Sequence, residues 1–129
     1  MSARQKPGHL NKTLLAKLSR LGDAASRKGF LARHRRFCKP EIVEALTAVV
    51  RQQIRIDPHR ALVLAEFAVV TAHQLRKPEL YGLALRAKAI ALYGLGRNKD
   101  SLVLYDRVAK VFEKVAAAKP HTVFCTVDD

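Results

Sequence analysis

The tripeptide Leu62-Val63-Leu64 recurs as Leu102-Val103-Leu104, forty positions later, and the residues around the two copies also correspond. Ala61 falls on Ser101, Ala65 on Tyr105, Ala68 on Val108, Val69 on Ala109 and Ala72 on Phe112. Each correspondence keeps a small or apolar residue at helical spacing, which marks a repeated amphipathic unit. Such a unit cannot bury its apolar face alone, so the chain has to stack one copy on another. This requirement constrains the fold more than any other feature of the sequence.

Each copy reads as the second arm of a helical hairpin. In the later hairpin Tyr81, Leu85, Ala89 and Leu92 form the first stripe, and Gly94-Leu95-Gly96 the turn. Ser101, Leu102, Tyr105, Val108, Ala109 and Phe112 form the second stripe. Ala89 and Ser101 are small enough for two helix backbones to approach closely, with Tyr105 and Phe112 filling the space beside them. The earlier hairpin has Ile42, Leu46, Val49, Val50 and Gln53 or Ile54 on its first helix. Its turn is Asp57-Pro58, and its second stripe is Ala61, Leu62, Ala65, Ala68, Val69 and Ala72, on a helix reaching about Arg76.

Lys39-Pro40-Glu41 and Lys77-Pro78-Glu79 open the two units, and Lys119-Pro120 comes as a third. Proline suits the first helical position because its missing N–H has no partner there, and a following glutamate complements the helix dipole. The chain therefore divides into a segment 1–39, a region 40–118 with hairpins at 40–76 and 78–117, and a tail 119–129 too short for another pair. In the leader, leucines at 10, 14, 18 and 21 make one helical stripe. Gly22 stops that helix, and Asp23 caps a second, weaker one running to about His34 with Phe30 and Leu31 as its large apolar residues. The expected fold is all-α, antiparallel hairpins stacked as a short right-handed solenoid of about six helices.

The net charge of +13 sits mostly in the leader, where eleven Lys/Arg face Asp23 alone. Residues 40–129 hold thirteen basic residues against ten acidic ones. Arg27, Lys28, Arg33, Arg35 and Arg36 form a candidate nucleic-acid contact, since such a cluster neutralises phosphates. The same residues also fit a solvated face, an anionic membrane surface or a targeting leader. No apolar run is long enough to cross a membrane as a helix. Cys38 and Cys125 lie far apart in a chain with a core of its own, which points to unpaired thiols in a reducing compartment, the cytoplasm.

Little here suggests catalysis. His34 and Cys38 share the four-residue spacing of metal ligands, but no second His/Cys pair lies nearby. His121 and Cys125 sit in the tail without an evident oxyanion pocket. The GLG at 94–96 lies between helices and lacks the Gly-Lys-Ser/Thr of a phosphate loop. The sequence reads as a protein without enzymatic activity, cofactor or metal.

The hairpins resemble tetratricopeptide repeats. The family's small, large, glycine, alanine, aromatic and alanine positions fall on Ala89, Leu92, Gly96, Ser101, Tyr105 and Val108 in residues 82–115. In residues 42–75 they fall on Val49, Gln52, Ile56, Ala61, Ala65 and Ala68, where the second helix fits well and the first departs from the pattern. The stretches ARHRRFCKPEIVEAL and DPHRALVLAEFA are similar to the leading repeats of large bacterial repeat proteins, some carrying a caspase-like (CHAT) peptidase domain further along. The resemblance implies a scaffold that holds a peptide or amphipathic helix of a partner protein in a concave groove. The groove-facing positions would be Val43, Leu46, Val50 and Gln53, then Leu83, Arg86, Ile90 and Tyr93. Leu46, Val50 and Ile90 are equally suited to facing neighbouring helices. Two hairpins are few for such an array, so the leader supplies a capping layer or the chain self-associates through its last helix, by Tyr105 and Phe112.

Overall fold

The computed structural model describes residues 12–118, and these are all-helical, with six α-helices and no strand. They are α1 Lys12–Ser19, α2 Ala24–Arg33, α3 Pro40–Gln53, α4 Pro58–Leu75, α5 Pro78–Gly94 and α6 Asn98–Ala118, with a single 3-10 turn, Arg35–Phe37, between α2 and α3. Leu10, Pro120, His121 and Cys125 lie outside the described residues.

The punctuation works as the chemistry requires. Pro40, Pro58 and Pro78 each begin a helix. Asp57 accepts from the Arg60 amide at 3.1 Å, and Asp23 accepts from the Ser26 amide at 2.7 Å, so both side chains satisfy amides that have no intrahelical partner. That bond from Ser26 holds the Asp23 carboxyl below its ordinary range. At the end of α5 the Arg97 amide donates to the Leu92 carbonyl and the Gly96 amide to the Tyr93 carbonyl, each at 2.9 Å. This paired closure needs a left-handed residue, and Gly96, at φ 81°, supplies it.

Neighbouring helices pack in order, α3 on α4, α4 on α5 and α5 on α6, with α3 also touching α5. Ala61, Ala65, Ala68, Ala89, Leu92, Ser101 and Val108 are all buried, so the small and apolar stripe positions lie within the packed layers. Between α5 and α6 the Ser101 hydroxyl donates to the Ala89 carbonyl at 2.8 Å, a bond that only close backbone approach allows. A Cβ on Gly82 would meet the Phe112 ring at 2.8 Å, so the glycine makes the hollow that the phenyl fills.

Three expectations need correction. The inward stripe of α6 is rotated: Leu102 and Ala109 face solvent and Tyr105 is 40% exposed, while Leu104, Val111 and Val115 join Ser101, Val108 and Phe112 on the packed side. The cause is that α6 packs chiefly on α5, whereas its counterpart α4 is covered on several sides. On α3, Val43, Leu46 and Val50 are wholly buried and serve the core. The leader is not a further layer ahead of α3: α1 and α2 both pack on α4, through Leu18, Phe30 and Leu31.

Candidate binding surfaces

The groove expected from the resemblance reduces to a stripe on α5. Leu83, Arg86, Ile90 and Tyr93 recur at i, i+3, i+7 and i+10 and so share one face. Leu83 and Ile90 are half-buried, Arg86 is exposed, and Tyr93 is 66% exposed. Gln53, at the end of α3, is half-buried. The C-terminal ends of α3 and α5 meet closely there, since a Cβ on Gly94 would lie 2.9 Å from Ile54 Cδ1. The arrangement gives an apolar ridge with an aromatic and a cation rising from it, features common where proteins anchor one another.

The second surface is the outer face of α6. Leu102 and Val103 are each 68% exposed, beside half-open Tyr105 and exposed Ala109. Leu62, Ala65, Val69 and Ala72 hold the same positions on α4, and all of them are partly or wholly buried.

The leader divides its cations. Lys28, Arg33, Arg35 and Arg36 are exposed, with the Arg36 guanidinium over the Phe37 ring at 5.1 Å. Arg27 is turned inward: its side chain is 7% exposed, and Nη2 donates to Glu66 Oε1 at 2.7 Å. Arg27 therefore leaves the candidate phosphate-binding set. The His34 ring lies tilted against that of Phe30 with centroids 4.4 Å apart, and Cys38 is a free, half-buried thiol. Among the described residues no three His, Cys, Asp or Glu side chains gather as metal ligands would, and no helix is long and apolar enough to cross a membrane.

Sequence reasoning missed a cleft of about 420 Å³ where the C-terminal ends of α4 and α6 meet the start of α5. Ala72, Pro78, Tyr81, Val111, Val115 and Ala118 form its apolar lining, and His73, Arg76, Lys77 and Lys114 its polar edge. The ring of His73 lies against that of Tyr81, centroids 5.9 Å apart. Arg76 adopts a left-handed conformation at φ 57°, a position helices usually give to glycine. Tyr81 and Leu83 are two residues apart, about 200° around the helix, so the cleft and the stripe occupy opposite sides of α5. No family model, no curated protein and no solved structure matches this chain.

Proposed function

We propose that this chain is a non-catalytic, TPR-like scaffold that holds a peptide or amphipathic helix of a partner protein against the α5 stripe. The observation that carries this reading is the exposed pair Arg86 and Tyr93, set about one and three turns beyond Leu83 on the ridge it forms with Ile90. An amphipathic helix laid there would cover the apolar residues and present an acidic side chain to Arg86. The hairpin order and the successive packing of α3 to α6 support a short solenoid. Helical peptides selected from a display library against the folded protein test the reading. Arg86→Ala with Tyr93→Ala should weaken them by tenfold or more, since exposed aromatic and arginine anchors carry about 2 kcal/mol at such contacts. Ligands indifferent to both changes would end it.

The outer face of α6 supports self-association of the same scaffold. An antiparallel pairing of two α6 helices at the level of Val108 sets Asp106 of each against Lys110 of the other, around Leu102, Tyr105 and Ala109. Sedimentation should show a dimer at high protein concentration, and Leu102→Lys with Tyr105→Lys should return it to monomer by burying unpaired charge. A wild-type monomer at those concentrations disposes of the idea.

A second reading, phosphate binding by the leader, rests on the exposed cations Lys28, Arg33, Arg35 and Arg36. It requires retention of RNA or duplex DNA that falls steeply with salt.

A further inference from the structure

We propose that the cleft between α4, α5 and α6 is a site for a small anionic amphiphile, a free carboxylic acid with a medium-length hydrocarbon body. This site is independent of the α5 stripe. Its volume of about 420 Å³ falls in the range of small-molecule pockets, which run from about 300 to 1,000 Å³ and are mostly apolar with a few placed polar groups.

The lining states the ligand's chemistry by what it contains. Ala72, Tyr81, Val111, Val115 and Ala118 offer hydrocarbon and an aromatic face. Arg76 and Lys77 come from the junction of α4 and α5 and Lys114 from α6, and none of the lining residues is acidic. Among the described residues no carboxylate forms a salt bridge with any of these three cations. An incoming anion therefore meets unneutralised positive charge at the mouth of an apolar hollow, the complement of a carboxylate on an alkyl chain.

The same lining argues against a peptide. A peptide brings an N–H and a C=O with every residue, and each loses free energy if desolvated without a partner. The lining holds no Asn, Gln, Ser or Thr, and the Arg76 and Tyr81 amides beside it are already bonded, to the His73 and Lys77 carbonyls. A fatty acid carries all its polarity at one end, where the cations are, and asks nothing of the floor.

Calorimetric titration of the full chain with decanoate, with decyltrimethylammonium as the same chain under the opposite charge, tests this. Decanoate should bind one to one with a Kd on the order of 10–100 µM, given the efficiency typical of ligands this size. The cationic amphiphile should bind about tenfold more weakly or worse, as expected where charge complementarity at the mouth is decisive. Arg76→Glu with Lys114→Glu should invert that preference, an outcome that loss of folding cannot imitate. Ala118→Trp, at an exposed position on the cleft's edge, should abolish decanoate binding with helicity intact. Equal affinity for the two head charges, several molecules bound per chain, or no response to the charge reversal would overturn the proposal. So would decanoate binding seen only after Val123→Ser and Phe124→Ser, which would make the chain's own tail the occupant. An acidic peptide that binds the cleft where decanoate does not would overturn it as well.

Discussion

Phe67→Ala should be among the most damaging single substitutions in the chain, lowering stability by about 3–5 kcal/mol. Phe67 has no exposed surface and meets the edge of Phe30 with ring centroids 5.7 Å apart. Phe30 in turn stacks on Phe37 at 5.7 Å, so one aromatic cluster ties α2 and the turn after it to α4. Truncation would leave a void between α4 and the leader that only rearrangement of α1 and α2 could close. Domains of this size have stabilities of about 5–15 kcal/mol, so the variant would sit near the edge of folding at ambient temperature. Urea unfolding followed by dichroism gives the loss, and hydrogen exchange shows where it falls, with α1 and α2 amides losing protection first. Phe112→Ala is the comparison, because that ring is only half-buried over Gly82 and should cost distinctly less. Equal losses, or unchanged protection in α1 and α2, would mean that the leader is not held through Phe67.

The sequence made the helix boundaries readable because they rest on local chemistry. Pro40, Pro58, Pro78, Asp57 and Gly96 act through their own backbone and nearest amides, and they sit where that chemistry puts them. The small residues of the repeat were equally readable, since Ala61, Ala89 and Ser101 have few places to go but a close helix crossing. What could not be read was how many neighbours each helix has. Leu102 and Tyr105 match Leu62 and Ala65 in sequence, but α4 is wrapped by α1, α2, α3 and α5 while α6 packs chiefly on α5. A single stripe on α4 also left out Leu64 and Phe67, both fully buried. The cue was present: apolar residues run nearly all the way round 61–72, the signature of a helix covered on more than one side. The stripe on α5 follows from spacing alone, whereas the cleft depends on three helix ends meeting, which no local pattern announces. Charge counting likewise could not single out Arg27, whose counter-ion lies 39 residues away.

That ion pair supplies the other large effect, and its asymmetry is the expected result. Glu66→Ala should cost about 3 kcal/mol, while Arg27→Met should cost under about 1 kcal/mol. Removing the carboxylate strands a guanidinium whose side chain is 7% exposed and whose Nε already has no partner. Water reaches Glu66, which is 28% exposed, so the loss falls toward the lower end for broken buried pairs. Removing the arginine instead leaves Glu66 with Lys88 at 3.8 Å and with solvent, and methionine fills the vacated path. The double variant should then resemble Arg27→Met, because the damage in Glu66→Ala is the uncompensated cation and not the lost attraction. Urea midpoints of the three proteins decide this, and a smaller loss in Glu66→Ala than in Arg27→Met would refute it. The same comparison bears on the leader's function. A guanidinium committed to Glu66 is not offered to phosphate, so Arg27→Met should leave any salt-sensitive RNA or DNA retention unchanged. Arg35→Glu with Arg36→Glu, at two exposed positions, should reduce both the retention and its salt slope.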